Sequence, residues 1–155
     1  MKHWIHKAFP LLRNRKGSVM VEFAIGVGVM LAAFTGTFQF GYTFLQYNNL
    51  QNAVARGARY ASLVPYDSPN ATPSAAFKTA VQNMVLYGTP TAGATPVLPG
   101  LGTGNVNLTV TFTNGIPALM TVSISGYTID SIFAKSALTN KPQVMFAYQG
   151  IWSPI

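Results

Sequence analysis

One stretch constrains this chain more than any other. Between Ser18 and Leu45 the only charged residue is Glu22, and the run from Phe23 to Leu45 is built from Ala, Gly, Val, Ile, Leu, Met, Phe and Thr with one Tyr and one Gln. A bilayer core of ~30 Å is crossed by about 20 consecutive apolar residues in a helix, because inside lipid every backbone N–H and C=O must be satisfied within the segment. The run is long enough to do this. No proline interrupts Ser18 to Val64, so the spacing predicts a single helix over 18–64. At 1.5 Å per residue most of that stretch would extend on the order of 65 Å. A membrane part of about 18–42 therefore leaves the rest of the helix to stand outside the lipid.

The charges say which way the helix points. Only 8% of the 155 residues are charged, where a soluble globular domain carries about 25%. Such a composition disfavours a free soluble monomer and favours a chain that lives in a membrane or an assembly. Lys2, Lys7, Arg13, Arg15 and Lys16 crowd the first residues with no acid among them. A basic tail directly ahead of an apolar run is the positive-inside signal, so the N-terminus is expected in the cytoplasm and the C-terminal part outside. A nucleic-acid binder would spread its basic residues over a folded face, so no nucleic-acid partner is expected. A cleaved secretory signal fits less well. Its apolar region runs to about 7–15 residues, whereas this run is longer and passes directly into amphipathic helix.

Catalytic chemistry finds little to work with. The chain has no cysteine, and both histidines, His3 and His6, lie in the basic tail. Beyond it stand one glutamate and two aspartates, Asp67 and Asp130, which read as turn or cap residues. General acid–base, nucleophilic and metal mechanisms need such groups to converge in a pocket, and His3-x-x-His6 is half of a metal site. The expectation is a chain that is not an enzyme, with no catalytic residue, metal or cofactor.

Two features of the apolar segment bear on packing. Ala24, Gly28, Ala32 and Gly36 recur every four residues and form one smooth helical stripe, along which another backbone can approach. Glu22 is expensive in lipid unless it is paired or near the interface. In a chain beginning at Ser18, the new ammonium would lie one helical turn from Glu22, within pairing reach.

The sequence Lys16-Gly17-Ser18-Val19-Met20-Val21-Glu22-Phe23 resembles a type IVb prepilin processing site. More narrowly, the first 60 or so residues resemble TadE-like pseudopilins of the Tad/Flp pilus systems. The elements that carry the likeness are Gly17-Ser-Val-Met-Val-Glu-Phe-Ala24, Gln39-Phe-Gly41 and Asn52-Ala-Val-Ala-Arg-Gly-Ala-Arg-Tyr-Ala61. The resemblance implies cleavage between Gly17 and Ser18 by a prepilin peptidase, with 1–17 as leader. It implies that Glu22 and Phe23 help place the helix in an assembly, and that Arg56, Gly57, Ala58 and Arg59 form the family's helix-end motif. The implied partners are the prepilin peptidase, other pilins and pseudopilins, an inner-membrane assembly platform and membrane lipid, in a hetero-oligomer at the bacterial inner membrane. From Asp67 on, the chain follows the family only in style.

Outside the lipid, Leu50, Val54, Ala58 and Ala61 continue an apolar stripe, while Arg56 and Arg59 share another face. Those two arginines read either as a solvated face or as contacts to a partner or headgroups. Pro65 ends the helix. Thr72 is expected as N-cap, with Pro73 at the first position of a second helix. That helix should run to Tyr87, with Phe77, Ala80, Val81 and Met84 inward and Gly88 as its stop. Thr89 to Asn105 reads as a loop. Val106 to Thr113 alternates as a strand, Asn114-Gly115 marks a hairpin, and Met120, Val122 and Ile124 alternate on the return. Tyr127 to Leu138 reads as a connection with a helical piece around 131–137, and Pro142 to Gln149 as a third strand.

The fold class expected is α+β, a long helix (18–64) against a small three-stranded antiparallel sheet in an extracytoplasmic domain, 65–155. The function expected is that of a minor pseudopilin acting structurally in pilus assembly or initiation, or in pilus-linked secretion or adhesion. The alternative is a single-pass anchored binding module that enters no pilus.

Overall fold

In the computed structural model, residues 15–131 and 134–154 are described, and burial is described from Gly17 on. Most of the basic tail, with His3 and His6, lies outside the described residues. The elements run α1 (Arg15–Leu63), α2 (Ala75–Tyr87), a 3-10 turn (Thr103–Asn105), β1 (Val106–Thr113), β2 (Ile116–Ile124), β3 (Tyr127–Asp130), β4 (Lys135–Leu138) and β5 (Gln143–Ala147). The single uninterrupted helix and the α+β arrangement expected from the sequence are both present. The chain divides into two compact units, residues 1–38 and 39–155, with the boundary inside α1.

The described part of the first unit is helix alone. Its apolar side chains face outward: Phe23 is 70% exposed and Phe34 72%. Thr37 Oγ1 donates to the Ala33 carbonyl at 3.0 Å, so the hydroxyl is satisfied within the helix. Among the described residues α1 is the one helix long and apolar enough to cross a membrane.

The second unit begins with the remainder of α1, and here the helix has an inside. Leu50, Ala53, Val54, Ala58 and Ala61 are fully buried. They share one core with Phe77, Val81, Val85 and Leu86 of α2, Val106 and Val110 of β1, Met120, Val122 and Ile124 of β2, and Tyr127 and Ile129 of β3. The α1 positions follow the i, i+3/i+4 spacing of one helical stripe. Helix α2 starts two residues later than the sequence suggested. Ser74 is the N-cap, its Oγ accepting from Phe77 N–H. Thr72 is occupied otherwise, its carbonyl accepting from Ser68 Oγ at 2.6 Å. Gly88 closes the helix with φ +75°, its N–H donating to the Met84 carbonyl. The buried ridge of α2 is Phe77-Val81-Val85, with Ala80 and Met84 half-buried beside it.

The three-stranded antiparallel sheet has the order β1-β2-β5. Asn114 (φ +54°) and Gly115 (φ +78°) make the hairpin turn, as two positive φ angles require. The expected connection over 127–138 is instead a second hairpin. Tyr127 pairs with Leu138 through to Asp130 with Lys135, and no helix is present over its described residues. The reason is visible in the burial: Tyr127 and Ile129 point into the core while Thr128 and Asp130 point out, a period of two that helix cannot satisfy. The 89–105 segment is irregular as expected, yet it is pinned. Leu98 and Leu101 are buried, and Val97 N–H donates to the Leu86 carbonyl at 2.8 Å.

The C-terminal segment clasps the end of α1. Gln149 N–H donates to the Ser62 carbonyl, Tyr66 N–H to the Ile151 carbonyl, and Ser153 N–H to the Tyr66 carbonyl. Tyr148 Oη accepts from Tyr66 N–H at 2.8 Å and reaches the Ile151 carbonyl at 2.8 Å and that of Val64 at 3.2 Å. The Tyr66 ring is fully buried, edge-on to Phe77 with centroids 5.2 Å apart. Burial raises both phenols, Tyr66 and Tyr148, above their ordinary 10.0; at Tyr148 the hydrogen bond from Tyr66 N–H opposes this.

A raised phenol keeps its proton in the folded state at pH values where the unfolded chain has lost it. Its stabilising contribution is therefore complete below about pH 10 and is lost as pH rises through the folded value. Tyr148→Phe should lower the unfolding free energy by about 1 kcal/mol, since Tyr66 N–H retains the Ile151 carbonyl. It should also flatten the alkaline decline. Denaturant unfolding of both proteins across about pH 8–11 checks this; identical alkaline slopes would remove Tyr148 from the account.

Candidate functional site

In the first unit, Gly17, Ser18, Val21, Glu22 and Ile25 line one open depression on α1. Their spacing follows from helix geometry, which stacks i, i+4 and i, i+3 on one face. Ser18 and Glu22 are thus on a common face, one turn apart. Glu22 is exposed and has no ion-pair partner among the described residues. Ala24, Gly28, Ala32 and Gly36 are all exposed. A Cβ built at Gly28 or Gly36 would meet nothing within 4 Å, so nothing described in this chain occupies the stripe. Phe23 projects outward beside it.

The helix-end motif lies in the second unit and divides into two roles. Arg56 and Arg59 are exposed, without an acidic partner among the described residues. Gly57 and Ala58 are buried. At Gly57 α2 comes so close that a Cβ would run into Val85 Cγ2 and touch the Val81 carbonyl. Glycine is therefore required by the α1–α2 crossing, the small-residue condition for close helix approach. Spacing alone gave no sign of this, because the residue that imposes it lies 28 positions away on α2.

The acids are placed structurally. Asp67 Oδ2 accepts from Ser74 Oγ at 2.6 Å, ahead of the α2 N-terminus, and its Oδ1 is buried without a partner among the described residues. Asp130 pairs with Lys135 at 3.4 Å on the surface of the second hairpin. The described residues hold no group of three or more His, Cys, Asp or Glu that could bind a metal ion.

With this geometry in place, comparison with known proteins is informative on one point. The family model described as TadE-like protein matches residues 17–59. The matched span runs from the Gly17–Ser18 step through Glu22 and the glycine–alanine stripe to Arg59. Over that segment the chain is similar to TadE-like proteins. No curated protein and no solved structure matches the chain.

If Gly57 is required by Val85, then Gly57→Ala should destabilise the second unit by about 1–3 kcal/mol through overpacking, and Val85→Ala in the same chain should recover part of that loss. Chemical unfolding of the two variants and of the pair tests this. Additive losses in the double variant would mean that the two residues do not press on one another.

Proposed function

We propose that this chain is a minor pseudopilin of a Tad/Flp-type pilus, cleaved between Gly17 and Ser18 and acting by helix packing rather than by catalysis. The observation that carries the reading is the coincidence of the TadE-like match over 17–59 with helix surface that the described residues leave unfilled. In this reading Glu22 meets the Ser18 ammonium, its own or that of a neighbouring subunit. The stripe at Ala24, Gly28, Ala32 and Gly36 lets a neighbouring membrane helix approach. The helix sits in the bacterial inner membrane with its N-terminus in the cytoplasm. The unit beyond residue 39 supplies specificity outside, in assembly, initiation, secretion or adhesion.

Processing would create the missing cation. A carboxylate in lipid is costly alone, and an ammonium four residues away is at the spacing where opposite charges on a helix attract. Length also favours a minor subunit: roughly 90 residues beyond α1 exceed what a simple filament repeat needs. A second reading keeps the same anchor but no pilus, with the outer unit as an independent binding module. The closed core built on Leu50, Val54 and Ala58 favours it to the extent that such a unit needs no neighbour to fold.

Glu22→Ala should leave membrane insertion and leader removal near normal while lowering incorporation into pilus or platform complexes several-fold. Quantifying the variant in membrane and sheared-pilus fractions tests this. Normal incorporation would end the role assigned to Glu22.

A further inference from the structure

Strand β5 is the edge of the three-stranded sheet, and its hydrogen-bonding pattern can be followed residue by residue. Tyr148 N–H donates to the Ala118 carbonyl and Ile124 N–H to the Pro142 carbonyl. In the antiparallel register that pairs Leu119 with Ala147 and Ser123 with Gln143, the residues bonded to β2 are therefore Pro142, Val144, Phe146 and Tyr148. An antiparallel strand alternates its bonding direction, so the N–H and C=O groups of Gln143, Met145 and Ala147 point away from the sheet. The next outward position, Gln149, donates to the Ser62 carbonyl at 2.8 Å. The three before it have no partner among the described residues.

Lys141 and Pro142 stand at the start of this edge, but Gln143-Val-Met-Phe-Ala147 itself carries no charge and no proline, two of the devices by which edges avoid pairing. Met145 is 57% exposed and Phe146 39%. Alongside run two grooves between β5 and α1. One is lined by Tyr47, Gln51 and Lys141 with Gln143 and Met145, the other by Arg59, Ser62 and Leu63 with Phe146 and Ala147. A lysine thus stands at one end of the edge and an arginine at the other, with no acid in either groove. The other edge differs, since the Val106 carbonyl of β1 accepts from Gln82 Nε2 of α2.

From this we infer that β5 is a docking edge for an extended, acidic segment of a different protein, which adds a strand to the sheet beyond β5. Main-chain bonds to Gln143, Met145 and Ala147 supply affinity, as in other strand additions. Carboxylates opposite Arg59 and Lys141 supply register and selectivity. A second copy of this chain is disfavoured by charge. Antiparallel pairing of two β5 strands sets Lys141 of one copy against the Arg59 end of the other, and parallel pairing sets like residue against like. The acids of the second unit are also engaged elsewhere, Asp67 with Ser74 and Asp130 with Lys135. The inference concerns the second unit alone and holds whether or not the chain enters a pilus.

The test uses the full chain in detergent micelles and two synthetic peptides of alternating Val and Thr, one carrying Asp near both ends and one carrying Lys there. Residue-resolved amide exchange is the readout. The acidic peptide should slow exchange at Gln143, Met145 and Ala147 by about tenfold or more, and the basic peptide should not. Arg59→Glu, at an exposed helix position, should weaken the acidic peptide about fivefold. Met145→Pro should abolish binding, since it deletes an outward N–H that β2 does not use. Unchanged exchange at the three amides with either peptide overturns the inference, as does equal protection by both. Protection of those amides without peptide, in a chain that sediments as a dimer, would hand the edge to a second copy and overturn it equally.

Discussion

Burial of one stripe of α1, Leu50, Ala53, Val54, Ala58 and Ala61, is the interaction on which the rest of the second unit depends. Each of these side chains is fully out of contact with solvent, and every other element of the core is assembled against the same cluster. The stripe mixes two large residues with three alanines. Gly57, between Val54 and Ala58, keeps the helix surface low where Val85 of α2 presses against it. At about 25 cal/mol per Å² of apolar surface removed from water, this shared burial is the dominant favourable contribution available to a unit with one surface ion pair among its described residues and no disulfide. The Tyr66–Tyr148 clasp then fixes where the chain goes after α1 ends, so that the C-terminal strand is held at the sheet edge.

The same helix shows the opposite chemistry in the first unit. There the large apolar side chains point outward and the small ones form an open stripe. Water is a poor solvent for such a surface, while lipid and a neighbouring helix are good ones. Between Ser18 and Phe38 the one charged group, Glu22, is tolerable only near an interface or a cation. The two stretches of α1 therefore ask for different surroundings, and that division is what makes an anchored, assembling chain the reading proposed for it.

Much of this was legible in the sequence. The uninterrupted 18–64 helix followed from the absence of proline and the apolar run. The β1–β2 hairpin followed from strict alternation around Asn114-Gly115, and the buried α1 stripe from its spacing. The second hairpin was missed because its strands are four residues each and the Tyr127/Ile129 alternation is too short to outweigh a helical reading. The N-cap of α2 was misplaced because Thr72 and Ser74 are both competent caps, and the choice was made by Ser68 and Asp67, side chains brought near by the turn. The reason for Gly57 lay in Val85, and the open side of β5 lay in the register of Tyr148 on Ala118. Both are consequences of tertiary placement that no local pattern encodes.

The central claim is that the mature helix begins at Ser18, so that a free ammonium stands one turn from Glu22. The most direct measurement is the intact mass and N-terminal sequence of the protein taken from its native membrane, with and without the host's prepilin peptidase. The account predicts a chain starting at Ser18, lighter by roughly 2 kDa, only where the peptidase is present. A full-length chain in both strains would contradict it, leaving Glu22 without its cation and the protein as an anchored binding module.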